Sequence, residues 1–135
     1  MVGPRLRKIA MTHAQNYTIL LAEDDRSARD ATAMVLEAEG YHVVTAGNGT
    51  SALNMLMHDS TIDLLVSDIH MPGGIDGIEL ALRARRHRPI QVMLISADPR
   101  NSFTCFPENT TFLAKPYDRR ALLGAVGGLL GITSA

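Results

Sequence analysis

The sequence predicts an α/β fold, a parallel β-sheet covered by helices on both faces. Three observations predict it. Short apolar runs alternate with longer segments whose apolar residues recur every three or four positions, the signature of strands alternating with helices. The runs Ile19-Leu20-Leu21-Ala22, Leu64-Leu65-Val66 and Val92-Met93-Leu94-Ile95 are apolar at successive positions, so both faces of these strands are buried. Polar residues then collect at the same end of four of the five strands, on the edge where open α/β sheets bind their ligands. A chain of 135 residues is long enough for one such domain with a sizeable core.

Taken in order, residues 1–16 mix proline, glycine, basic and polar residues without periodicity and are expected to form a mobile tail, leaving 17–135 as the domain. Strands are expected over Tyr17–Ala22, Tyr41–Ala46, Asp63–Ser67, Ile90–Ser96 and Thr111–Lys115. Helices are expected over Arg26–Glu39, Thr50–His58, Gly77–Arg86 and Asp118–Gly131. Asp25 suits the N-cap of the first helix and Gly40 its C-terminal stop. Ala28, Ala31, Val35 and Ala38 are the expected buried stripe of that helix. Pro99 and Pro107, with Asn101, Ser102, Asn109 and Thr110, argue against a full helix between the last two strands, so residues 97–110 should carry only a short or irregular turn.

Composition excludes several classes. With 46% hydrophobic and 20% charged residues the chain is an ordinary globular one, not a disordered one. A net charge of −1 supplies no field for nucleic acid or anionic membrane. The single cysteine, Cys105, rules out an internal disulfide framework. No apolar run reaches the roughly 18–20 residues of a membrane span, and no signal-peptide core follows the basic start. A cytoplasmic domain without nucleic-acid or membrane partners is the expectation.

The strand ends carry the chemistry. The first strand runs into Glu23-Asp24-Asp25, the third ends at Ser67-Asp68, the fourth at Ser96 and the fifth at Lys115-Pro116. Right-handed crossovers let the first and third strands lie side by side, with the fourth and fifth beyond the third. Three carboxylates, Glu23, Asp24 and Asp68, then share one place and raise the cost of ionising each other. A hard divalent cation relieves that cost, and carboxylate oxygens with water are the ligands Mg²⁺ prefers. An ammonium (Lys115) and a hydroxyl (Ser96) beside such a cluster suit a phosphoryl group, whose oxygens need neutralisation and hydrogen-bond donors. Taken singly each residue has an ordinary reading: Asp25 as a helix cap, Asp68 as a loop acid, Ser96 as a strand-end serine, Lys115 as a solvated cation. Their joint placement at four strand ends is what those readings leave unexplained.

At this point the sequence resembles the receiver domain of bacterial two-component response regulators, from about Tyr17 to about Gly131. The resemblance rests on four blocks in order: Ile19-Leu20-Leu21-Ala22-Glu23-Asp24-Asp25; Leu65-Val66-Ser67-Asp68-Ile69-His70-Met71-Pro72 followed by Asp76-Gly77; Leu94-Ile95-Ser96-Ala97; and Phe112-Leu113-Ala114-Lys115-Pro116-Tyr117. It implies a flavodoxin-like, doubly wound five-stranded sheet of order 2-1-3-4-5. It implies that Asp68 accepts a phosphoryl group from a histidine kinase or phosphotransfer protein. It further implies that Mg²⁺ is held by Asp24, Asp68, the backbone carbonyl of His70 and, directly or through water, Glu23. Ser96 and Lys115 would bind the phosphoryl group, Ser96 and Phe112 would form the switch, and the Lys115–Pro116 bond would be cis. Glu23 stands where the family usually has aspartate, and the segment Pro72–Gly77 is one residue longer than usual. The stretch between Ser96 and Lys115 is shorter, and Phe112 replaces an aromatic that is often tyrosine.

Such a chain is a signalling phosphoacceptor rather than an enzyme. With no output domain expected after the last helix, its surface would be read by a separate protein or by self-association. Two other readings stay open: a dinucleotide-binding module using Gly47-Asn48-Gly49, which fits G-x-G-x-x-A after a strand, and a receiver-like interaction domain working without phosphorylation. The cluster Arg83, Arg85, Arg86 and Arg88 suits the C-terminal end of a helix dipole and is expected to form a solvated face.

Overall fold

The computed structural model describes residues 13–132. The strands are β1 (Thr18–Ala22), β2 (His42–Ala46), β3 (Ile62–Asp68), β4 (Gln91–Ser96) and β5 (Thr111–Ala114). The helices are α1 (Arg26–Glu39), α2 (Gly49–His58), α3 (Gly77–His87) and α4 (Arg119–Leu130), with single 3-10 turns at Ala14–Asn16 and Arg100–Ser102. Most of the tail expected over residues 1–16 lies outside the described residues.

The five strands form one parallel sheet in the order β2-β1-β3-β4-β5, the expected one. Alternate residues of the central strands serve opposite faces. Leu20, Leu65, Val92 and Leu94 pack with Ala52 and Leu56 of α2 and Leu80, Ala81 and Ala84 of α3. Ile19, Leu21, Leu64, Val66, Met93 and Ile95 pack with Ala33 and Leu36 of α1 and Leu122 and Val126 of α4. Burial on both faces is why these runs lack alternation.

Helix ends follow local chemistry. Asp25, Asn48, Asp76 and Asp118 cap α1 to α4, each side chain accepting from a backbone N–H three residues on at 2.8 Å. Gly40 ends α1 in the left-handed conformation at φ 114°. Gly77 is required by close approach: a Cβ there would overlap the backbone of Asp68, and its N–H bonds the Ile69 carbonyl at 2.8 Å. That contact seats the start of α3 directly against the end of β3.

Two expectations are corrected. The buried stripe of α1 is Thr32, Ala33 and Leu36, whereas Ala31 and Ala38 are exposed and Ala28 and Val35 half-buried. The rotation follows the largest apolar side chain: leaving Leu36 in water costs far more than leaving alanines there. The arginine cluster is also not a uniformly solvated face. Arg88 is half-buried and donates to the carbonyls of Asp59 (3.1 Å) and Ile62 (2.7 Å). Arg85 donates to the carbonyls of Ile90, Glu108 and Asn109 and to Thr110 Oγ1. These bonds satisfy carbonyls at the start of β3 and in the chain just before β3, β4 and β5.

Between β4 and β5 the chain makes only the turn Arg100–Ser102, as its prolines and asparagines suggest. Phe103, Phe106 and Phe112 cover the core where a helix would otherwise lie. The Arg100 guanidinium sits 3.9 Å from the centre of the Phe106 ring. Asn109 takes the left-handed conformation at φ 54°, which asparagine tolerates better than most residues.

Candidate functional site

The C-terminal ends of β1, β3, β4 and β5 converge on one hollow, and backbone bonds beyond the strands fix the residues there. Glu23 N–H donates to the Ala46 carbonyl (3.1 Å), Ile69 N–H to Ile95 (2.9 Å) and Lys115 N–H to Ser96 (2.9 Å). Arg29 of α1 reaches back to the Glu23 carbonyl at 2.9 Å. The Lys115–Pro116 peptide is cis.

Glu23, Asp24 and Asp68 each present a carboxylate oxygen within 4.8 Å of the others. Glu23 and Asp68 are buried, and Asp24 faces solvent. Lys115 Nζ lies 2.8 Å from Asp68 Oδ1 and 3.5 Å from Glu23 Oε1, so one ammonium serves two buried carboxyl groups. Burial raises the Glu23 pKa, reinforced by its hydrogen bond with Asp68 and the Asp68 charge; the Asp25 N–H and Lys115 pull the other way. Burial alone would lower the Lys115 pKa, but bonding to Asp68 and the charges of Asp68 and Glu23 outweigh it, so the ammonium is held above its ordinary value. Three carboxylates against the Lys115 ammonium are the donor set a hard divalent cation fits: three oxygen donors within one coordination sphere's width and a surplus of negative charge.

The other expected site residues lie around this centre. Ser96 is buried, and its Oγ accepts from Asp98 N–H at 3.0 Å, leaving its own proton to donate. His70 follows two residues after Asp68, and its ring turns away to Asp98, Nε2 to Oδ2 at 2.7 Å. Phe112 is not brought to the carboxylates. It pairs in register with Leu94 and packs edge-on against Phe106, with centroids 6.0 Å apart. In the Gly47-Asn48-Gly49 loop Asn48 caps α2, and a Cβ on Gly49 would collide with the Ile75 carbonyl, so packing accounts for both residues.

Three neighbours escaped the sequence reading. Asp98 holds both His70 and Ser96. Arg29 holds the Glu23 carbonyl. Tyr117, just past the site, shares a 2.8 Å hydrogen bond with Thr32 of α1. Asp98 and Tyr117 each stand two residues from a singled-out position, Ser96 and Lys115, but their partners lie far away in the chain and leave no periodic trace.

Comparison with known proteins agrees with this architecture. Residues 19–127 match the family model described as response regulator receiver domain. The chain is 39% identical over 116 residues to the response regulator receiver protein CpdR of Brucella abortus, covering 83% of this chain and 95% of that protein. It is 36% identical to part of the CAI-1 autoinducer sensor kinase/phosphatase CqsS of Vibrio cholerae and 32% identical to part of the transcriptional regulatory protein CpxR of Escherichia coli. It matches 80% and 83% of its own length there, but spans only 16% and 48% of those two proteins. Among solved structures it resembles the receiver domain of the hybrid histidine kinase CckA, with a TM-score of 0.72 at 38% identity over 84% of this chain and 98% of that one. A receiver protein of Sinorhizobium medicae gives a TM-score of 0.79 at 28% identity, over 85% and 94%. With the acidic hollow, the lysine beside it and the sheet order all accounted for, the chain belongs to the receiver-domain family of two-component response regulators.

Proposed function

We propose that the chain takes a phosphoryl group onto Asp68 from a phosphohistidine on a kinase or phosphotransfer protein, and that the charge change alters a surface read by another protein. The observation that carries this reading is the buried Asp68 carboxylate, 2.8 Å from Lys115 and clustered with Glu23 and Asp24. In the transfer an Asp68 oxygen forms a bond to phosphorus as the phosphorus–nitrogen bond breaks, and the electron pair returns to the imidazole. Lys115 neutralises the growing charge on the phosphoryl oxygens, and Ser96 donates its free proton to one of them. Asp24, Asp68, the His70 carbonyl and Glu23 would hold Mg²⁺, which when bound supplies charge neutralisation to the same oxygens.

The chain acts on this reading as a carrier and switch, not as an enzyme with a substrate of its own. Kinship with segments of a sensor kinase/phosphatase and of a hybrid histidine kinase supports a kinase partner. We assign its work to the cytoplasm, consistent with the lack of any described helix long and apolar enough to cross a membrane. We assign its output to a protein target or to self-association. DNA is a poor target, because Arg85 and Arg88 are spent on backbone carbonyls and the net charge is −1. Phosphorylation adds roughly −1.5 to −2 charges at one strand end, by analogy with other phosphorylated side chains. Ser96 would move toward that charge and Phe112 would repack behind it.

The test is labelling from acetyl phosphate with Mg²⁺. Wild-type protein should acquire an acid-stable, base-labile phosphate, and Asp68→Asn should acquire none while keeping its circular dichroism. Label arriving on Asp68→Asn at the wild-type rate would remove the assignment.

A further inference from the structure

The segment between β4 and β5 is fastened at two ends by different kinds of residue. At its far end Arg85 binds the carbonyls of Glu108 and Asn109 and the Thr110 hydroxyl, and Phe106 is wedged between Arg100 and Phe112. None of these residues belongs to the acidic hollow. At its near end the fastenings are His70 Nε2 to Asp98 Oδ2 (2.7 Å), Asp98 N–H to Ser96 Oγ (3.0 Å) and the His70 ring against Phe103, with centroids 5.7 Å apart. Both anchors there, His70 and Ser96, are residues whose remaining polar atoms serve the phosphoryl site.

We propose that the His70–Asp98 hydrogen bond is a latch that fastens residues 97–103 in the unloaded protein and releases them when Asp68 is loaded. The inference rests on the reading of Asp68 as phosphoacceptor and adds the element through which loading is reported. When the Ser96 hydroxyl turns to a phosphoryl oxygen, its oxygen no longer faces the Asp98 N–H. Asp98 then keeps only its bond to His70, a pair with both side chains more than half exposed and therefore weak. The far end stays tied by Arg85, whose bonds to Glu108, Asn109 and Thr110 involve none of the residues that loading moves. His70 and Asp98 are thus positioning residues for the segment 97–103.

Hydrogen exchange read by mass spectrometry on the full chain tests the latch, with beryllofluoride and Mg²⁺ as the phosphoryl mimic and fluorine NMR to report its binding. In wild-type protein that shows a bound fluorine resonance, exchange across 98–103 should rise by about two- to fivefold, the factor a weak exposed pair commands. Exchange at 108–110, the stretch that Arg85 holds, should not change. His70→Ala and Asp98→Ala, which cut the bond from either side, should show the raised exchange without ligand. His70→Gln keeps a donor at that place and should restore the wild-type pattern. Unchanged exchange at 98–103 in loaded wild-type protein, or in both unloaded alanine variants, overturns the latch and leaves the phosphoacceptor reading standing. Absence of a bound fluorine resonance in wild-type protein removes the phosphoacceptor reading, and the latch with it.

Discussion

Lys115→Met keeps the length of the side chain and removes its ammonium, leaving Glu23 and Asp68 facing each other. Their side chains are 9% and 10% exposed, so water does little to screen them. Removing one partner from a fully buried ion pair costs about 3–5 kcal/mol. Two features reduce that here: Lys115 is 34% exposed, and Glu23, its pKa already raised by burial, can take up a proton. A loss of about 1–3 kcal/mol in a chelator at neutral pH is expected once solvent screening is counted. Mg²⁺ should return much of it, because a cation in the hollow replaces the missing charge. At about 10 mM against a millimolar site the linkage amounts to about 1.4 kcal/mol, and more if removing the competing ammonium tightens the site. The assay is urea unfolding followed by circular dichroism, suited to a chain without tryptophan. The variant should unfold about 1 M earlier than wild type without Mg²⁺. It should also gain more stability than wild type when Mg²⁺ is added. Equal stability of the two proteins in chelator, or an equal gain from Mg²⁺, would refute the reasoning.

Two further outcomes follow from the same hollow. Asp24→Asn should weaken Mg²⁺ binding, followed by calorimetry, more than Asp25→Asn, because Asp25 accepts the Ala28 N–H at 2.8 Å and asparagine caps a helix as well as aspartate does; equal losses would contradict that division. Glu23→Gln should stabilise the metal-free protein near neutral pH, because the folded state raises the Glu23 pKa above its ordinary 4.5 and so disfavours the charged form. Both states carry the proton below that value, so the gain should vanish there, and unfolding curves across that range that stay parallel would count against it.

What the sequence makes legible, and what it hides, divides along physical lines. Successive apolar residues such as Ile19–Ala22 report burial on both faces directly, so strand identity and the carboxylates at the strand ends could be anticipated, while the full sheet order came from the family resemblance. Caps such as Asp25 and Gly40 are equally local. The facing side of α1 was hidden because alanine is nearly indifferent to burial; four alanine and valine positions suggested a stripe that the single Leu36 overruled. The roles of Arg85 and Arg88 were hidden because most of their partners are backbone carbonyls, some as far as Glu108, 23 residues from Arg85, and Ile62, 26 from Arg88, and a carbonyl has no letter in a sequence. The His70–Asp98 bond crosses 28 residues between two loops and is invisible for the same reason.

The interior place of β1, between β2 and β3, has a consequence for synthesis. Thr18 pairs with His42 on one side and with Ile62 on the other, so the strand made first is completed on its inner edge last. While the chain emerges from the ribosome, Ile19–Ala22 presents an open, wholly apolar edge until β3 has been made, long after β2 is available. An unpaired edge of that kind invites association with other chains. Translation speed between residues 46 and 68 therefore sets how long that edge stays open.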